Sequence, residues 1–491
     1  MLRSGYSDFR RWIDFDVSRS NSIALSGHDR EAAKQFLSDV HEDLDQLDLE
    51  IARTQAILDD LKARRDTIAS RTDKIRTALA PHKGLPPELL REIFQHSLDG
   101  RPFVIPIRSE QNWPWPLRSV CSAWRKLAVS DYRLWSDISV RLRKWDSQLH
   151  DRLVRAIVDI CSPTVYSRGP MKMDIDVSGD LGYPIAEPSP LRLLSRFLPC
   201  LREVSLSFPS DYSGHFQNEI HKFFSGALHL RKLKINCSDE VGGFNDFRWF
   251  DEVPGVPWAQ LTALDLSRAC QPVESAMQIL RLCPRLEVCT ISVQTATNHP
   301  GIDQLTLPHL KSLTVNQGSC PEAILDHLVT PSLVDLRLFL DQLVSFSEIL
   351  SLLHRSGASL EVFWCSDNVG PNRTQGVEGF LEQVPTLLEF QMPVLFPTSV
   401  LQRVSRGELL PCMEVWKCGL LLDAVDAFID AVERRLTPGT SALPVLRKAH
   451  GCVSIDPGND DMQGPLQRME RIREQCGGDF KLLGLDDESL A

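Results

Sequence analysis

What the 491-residue chain lacks narrows the field before any motif is read. No uninterrupted apolar run approaches the roughly 20 residues that a membrane-spanning helix needs. Met1 to Arg11 lead into no apolar core of the kind a secretory leader requires, so the expectation is a soluble intracellular protein, of cytoplasm or nucleus, with no membrane partner. An excess of basic charge is also missing. The formal net charge of -11 argues against nucleic acid as the partner. Thirteen cysteines include no CxxC pair, and the close pairs Cys283/Cys289 and Cys412/Cys418 lack a histidine cluster that would complete a zinc site. The thiols read instead as small buried hydrophobes. Phosphate-binding loops of the GxGxxG or GxxxxGK[ST] type are absent, as are GxSxG and HExxH. No catalytic residue, cofactor or metal ligand is therefore expected.

What is present begins with length, which exceeds one hydrophobic core and implies several units or an elongated repeat array. From Asp29 to Ala80 there is no glycine or proline, as a long helix over 29–80 requires. Along it Leu37, Val40, Leu44, Leu47, Ile51, Thr54, Leu58, Leu61, Arg65, Ile68, Thr72, Ile75 and Leu79 recur in alternating steps of three and four. Ten of these thirteen positions are apolar and the flanks are charged, which is a heptad seam. The seam is compatible with self-association and equally with packing on the rest of the same chain. Pro81 and Gly84 end the helix.

Next comes Leu85-Pro86-Pro87-Glu88-Leu89-Leu90-Arg91-Glu92-Ile93-Phe94, a short helix whose prolines sit where no hydrogen bond is lost. A second helical period runs from Leu117 through Val120, Cys121, Trp124 and Leu127, and Leu134-Trp135 closes the unit. Both halves, in order, resemble the F-box, and with the heptad helix before them they look like the F-box-like proteins numerous in mushroom-forming fungi. The resemblance covers about 50 residues. It implies docking on a Skp-type adaptor, and through it on a cullin-RING ubiquitin ligase. Carried over by position, the adaptor contacts would be Leu85, Pro86, Leu89, Ile93, Phe94, Leu117, Val120, Cys121 and Trp124. The stretch from Gln95 to Pro116 is longer than the usual connection between F-box helices.

Beyond Trp135 one phrase keeps returning: Leu-x-x-Leu-x-Leu or a close variant, starting at Leu201, Leu230, Leu261, Leu286, Leu310 and Leu333, with weaker copies at Leu360, Leu387 and Met413. Among the six stronger copies the starts lie 23 to 31 residues apart, which brackets the leucine-rich-repeat period. Each phrase reads as a short strand with its leucines inward, and the segments between read as helices, such as Ala276 to Cys283 and Ala323 to Val329. Strands around Ile138 to Val140 and Met173 to Val177 are expected to join the helical unit to the first repeats. Glu203, Lys232, Lys234, Asp265, Lys311, Thr314, Asp335 and Arg337 would point outward, toward any target.

The expected fold is thus α/β: a tail over 1–28, a coiled-coil-like helix over 29–80, a helical F-box-like unit over 84–136, an irregular solenoid of parallel strands and helices over 137–457, and a fraying tail over 458–491. The function expected from the resemblance is that of a non-catalytic substrate receptor, binding adaptor and target protein. The alternative is an adaptor-independent scaffold of coiled coil and repeats.

Overall fold

The computed structural model describes residues 27–98, 100–105, 116–141, 169–177, 194–209, 222–238, 255–294, 303–316, 322–340, 346–367, 376–436, 445–453 and 462–484. They fall into two compact units, Met1–Leu90 and Arg91–Ala491. The expected tail over 1–28 lies outside the described residues up to Ser26.

In the first unit helix α1, Gly27–Ala78, runs for 52 residues without a break. Its surface carries ion pairs one turn apart, among them Arg64 with Asp60 at 2.9 Å and Lys34 with Glu31 at 2.9 Å, each a small aid to helix formation. A 3-10 turn, Pro81–Gly84, stops it where proline removes the backbone donor. Helix α2, Pro87–His96, follows and carries the chain across the division between units.

The second unit is one fourteen-stranded parallel sheet with a separate two-stranded ribbon. Its N-terminal strands are β1 Phe103–Ile105, β2 Asp137–Arg141, β3 Met171–Asp176, β4 Leu201–Pro209 and β5 Lys232–Ser238. Then come β6 Ala263–Pro272, β7 Val288–Gln294, β9 Ser312–Asn316, β11 Asp335–Leu340 and β12 Val362–Asp367. The series ends with β13 Glu389–Phe396, β14 Val415–Leu420, β15 Lys448–Val453 and β16 Asp479–Gly484. Strands β8 Leu305–Thr306 and β10 Leu328–Val329 form the ribbon, within crossovers. Spatial order equals chain order throughout, so each turn of chain adds one strand beside the last, as in a repeat solenoid.

All nine phrases found in the sequence land on this sheet, eight of them starting two residues before their strand and the first, at Leu201, starting with it. The first residue of every phrase is buried, from Leu201 to Met413. Helices cross back on one face: α3 Leu117–Val120 and α4 Ser122–Ser130 early, then α5 Val273–Arg281, α6 Glu322–Leu325, α7 Phe346–Ser356 and α8 Val377–Gln383. The last three are α9 Thr398–Ser405, α10 Val425–Leu436 and α11 Gln463–Cys476. Between sheet and helices an aromatic file runs from Phe363 and Phe380 (5.0 Å between rings) through Phe390 and Phe396 to Trp416 and Phe428 (4.7 Å).

Two expected boundaries are corrected. The sheet starts at β1, inside the stretch taken as an overlong connection, and α3 with α4 is the crossover from β1 to β2. Residue 137 is therefore no domain border. At the other end the array does not stop at 457: α11 buries Met469 and Ile472, Phe480 and Leu482 face inward from β16, and Gly477 in the left-handed region (φ 66°) turns helix into strand. Residues 454–461 and 485–491 lie outside the described residues.

The inner face near the C-terminal end is tightly filled. Ala449 sits in register with Trp416, and a Cβ added at Gly451 would meet Leu420 Cδ1 at 2.5 Å and Leu482 Cδ2 at 2.9 Å. Arg435 on α10 is buried and donates to the carbonyls of Val404, Leu409, Leu410 and Met413, closing the turn after α9; burial lowers its pKa to about 10. Gly451→Val should lower stability by roughly 1–3 kcal/mol through overpacking. Arg435→Ala should cost about 3 kcal/mol by orphaning buried carbonyls. The exposed neighbour Arg434→Ala should be near neutral, and chemical denaturation of the three variants provides the check.

Candidate protein-docking site

Helix α2 sorts its apolar residues into two kinds. Leu90 and Phe94 are buried, whereas Leu89 and Ile93, one turn apart on the same face, are 52% and 48% exposed. Phe94 packs on Trp124 of α4 with ring centroids 4.8 Å apart. In α3 Leu117 is buried while Val120 is 51% exposed. Cys121, extended between α3 and α4, caps the latter by accepting a hydrogen bond from the Trp124 backbone N–H onto Sγ at 3.4 Å. Leu85 is half-buried and Pro86 exposed.

The sequence-predicted contact residues therefore divide. Phe94, Leu117, Cys121 and Trp124 are engaged within the fold of the second unit, whereas Leu89, Ile93 and Val120 present apolar surface. Leu85, Pro86 and Leu89 belong to the first unit and the others to the second. What anchors the helical pair is a buried carboxylate that the sequence did not mark. Asp131 accepts from Gln95 Nε2 at 2.9 Å, from the Arg133 backbone N–H at 3.2 Å and from Arg133 Nε at 3.1 Å. Trp135 is buried beside it, its Nε1 donating to the Ala128 carbonyl at 2.8 Å and its ring 5.2 Å from Phe103 of β1.

The face of the sheet away from the helices carries the outward residues. Most are paired sideways across adjacent strands: Lys232 with Glu203 at 2.6 Å, Lys234 with Asp265 at 2.8 Å, and Lys172 with Asp137 at 3.4 Å, each on register partners. Lys311 pairs with Glu287 at 2.9 Å, and Asp335 holds both Arg337 Nε at 2.9 Å and Ser312 Oγ at 3.0 Å. Thr314 lies half-buried between its register partners Thr290 and Arg337. Burial would raise the pKa of Asp265, yet the bonds from Lys234 and Ser267 hold it below its ordinary value. Two aromatic residues overlooked in the sequence share this face. Phe339 meets Trp364 edge to face at 4.2 Å, and Trp364 is the register partner of Arg337. Arginine and tryptophan are the residue types that most often anchor protein partners.

No protein-family model matches this chain, and no curated protein matches it at a significant level. A solved structure, a Bacteroides fragilis protein determined by the Northeast Structural Genomics Consortium, aligns over 59% of this chain and 67% of its own at 13% identity and a TM-score of 0.29. The solenoid description accordingly rests on strand order and register within this chain.

Among the described residues no group of three His, Cys, Asp or Glu side chains is disposed to hold a metal ion, and no helix is long and apolar enough to cross a membrane. A cluster of titratable groups lies on β14 to β16, where Lys417, His450 and Lys481 occupy one row and Lys448 and Asp479 the next. Asp479 pairs with Lys448 and Lys481 at 3.0 Å each; its Oδ2 is also 3.0 Å from His450 Nε2, but without the alignment of a hydrogen bond. Burial would raise the Asp479 pKa, but these partners outweigh it and hold the carboxylate well below the usual range. Burial dominates at His450, pushing its pKa down despite Asp479, and Lys448 and Lys417 add to the effect. Cys452, two residues on, is a buried thiol raised by burial, which disfavours the thiolate a nucleophile needs.

His450 is thus neutral in the fold and takes a proton near 6.5 when unfolded, so its contribution to stability is full above that pH and declines as pH falls below it. A melting temperature that drops between pH 7.5 and 5.5 is expected, with His450→Gln flattening that segment. The steeper loss at still lower pH, shaped by Asp479, should remain in the variant, and calorimetry across pH checks both limbs.

Proposed function

We propose that this chain is a non-catalytic substrate receptor. Helix α2 and the α3–α4 pair dock on a Skp-type adaptor of a cullin-RING ubiquitin ligase, and the outer face of the sheet holds a target protein. The observation that carries this reading is the exposure of Leu89, Ile93 and Val120. Burial within the fold accounts for Leu90, Phe94 and Leu117 but leaves those three unexplained, and they are positions that the F-box resemblance assigns to adaptor contact. Scattered exposed leucines are ordinary; two β- or γ-branched side chains one helical turn apart on a short helix form a compact apolar stripe of the kind a groove accepts.

In this role the protein performs no bond-making step. It holds a target lysine close to a charged conjugating enzyme, which converts an encounter between two proteins into a reaction within one complex. Such a receptor works in the cytoplasm or nucleus, where adaptor and ligase reside. On the target side Arg337, Phe339 and Trp364 offer the strongest anchor.

The test uses the full chain to capture purified Skp-type adaptor. Leu89→Asp and Ile93→Asp should each weaken capture by about a hundredfold, given the size of central interface contacts, while leaving the melting temperature unchanged because both side chains are exposed. Trp124→Ala should lower the melting temperature as well, since it removes the packing on Phe94. A folded wild-type chain that fails to capture the adaptor overturns the reading. It would favour an adaptor-independent scaffold, for which the exposed seam of α1 is the supporting observation.

A further inference from the structure

The apolar seam of α1 is uncovered along its whole length. Leu37, Leu44, Ile51, Leu58, Ile68 and Ile75 are 44% to 64% exposed, and nearly every other seam residue is open to solvent as well. A helix of 52 residues with that much apolar surface gains more from a partner helix than from propensity alone.

The charges beside the seam are unevenly divided. Between Leu37 and Thr54 there are six acidic residues and one basic; between Lys62 and Leu79 there are six basic and two acidic. The stretch from Leu37 to Thr54 is thus strongly negative and the stretch from Lys62 to Leu79 positive, with Asp59 and Asp60 between them. A parallel pair of identical helices in register stacks each half on its own kind. In heptad terms it sets Asp43 against Asp48 and Arg71 against Arg76 across the interface, and no flanking position meets an opposite charge.

Reversing one helix changes every one of these contacts. In the alignment that places Thr54 opposite Arg65, two of the three polar seam residues share a layer, Leu58 faces Leu61 and Thr72 falls opposite Leu47. The flanks then set Asp43 against Arg71, Glu50 against Arg64 and Asp48 against Arg76, each repeated by the twofold axis. Ile57 packs on its own copy, and Lys62 facing itself is the one like-charge contact.

We infer that α1 binds a second copy of this chain as an antiparallel coiled coil, acidic half against basic half. The seam supplies the affinity and the charge division sets the orientation, because a parallel alternative places like charges side by side. The inference does not rest on adaptor docking and stands or falls separately from it.

Disulfide trapping in the full chain decides the matter, since α1 contains no native cysteine. In the antiparallel pair Leu44 faces Ile75. Under oxidation a tagged Leu44→Cys chain and an untagged Ile75→Cys chain should therefore cross-link to each other when mixed, at a rate at least about tenfold above either alone, with wild type as background. Sedimentation of the wild-type chain should give twice the monomer mass. Asp43→Lys with Glu50→Lys should weaken the dimer roughly tenfold, and adding Arg64→Glu with Arg71→Glu should restore it. A monomer at micromolar concentration, or efficient cross-linking of Leu44→Cys with itself, overturns the inference.

Discussion

A strand in the middle of a parallel sheet has backbone donors and acceptors along both edges, and each must find a partner once the strand is buried. In the second unit those partners come from one turn of chain before and one turn after. Every turn must therefore present an extended segment at the same height, and the register shows it: Phe363, Phe390, Trp416 and Ala449 are successive rungs of one row. The return path is under no such constraint. It can be the eleven residues of α7, or the four of α6 with a short β-ribbon behind it. What the rungs do fix is volume. Where Phe428 of α10, Leu420 and Leu482 close in on β15, no space is left for a Cβ at Gly451.

This coupling of rungs explains how much was legible. The leading residue of each phrase, leucine in eight and Met413 in the last, is a strong signal because it is fully buried against the neighbouring turns, and all nine phrases became strands. Strand β15 escaped notice because Ala449 and Gly451 stand where leucines would, and at Gly451 the space is already filled by Leu420, Leu482 and Phe428. Strand β1 was hidden in a connection judged too long, and β16 behind a run of glycine and acid. The long helix was plain from the absence of breakers. Arg435 gave no signal at all, since its partners are main-chain carbonyls contributed by whichever residues stand there.

For the docking site the limit was different. Periodicity placed Leu89, Leu90, Ile93 and Phe94 on one helix, but which of them face Trp124 and which face water depends on elements more than 20 residues away. The division into engaged and exposed residues turns a motif into a candidate surface. It leaves the receptor reading with its two working parts on distinct pieces of structure: a short apolar stripe for the adaptor, and a broad polar sheet face with one aromatic anchor for the target.

That sheet face has a further property. From β4 to β6 its lysines and carboxylates are matched strand by strand, Lys232 to Glu203 and Lys234 to Asp265, so their fields largely cancel close to the surface. A surface of this kind casts no long-range attraction and does not draw a charged partner toward it. Encounter with a target would then proceed near the unsteered rate of about 10⁵–10⁶ M⁻¹s⁻¹ and change little with ionic strength, leaving the lifetime of the bound state to distinguish one target from another.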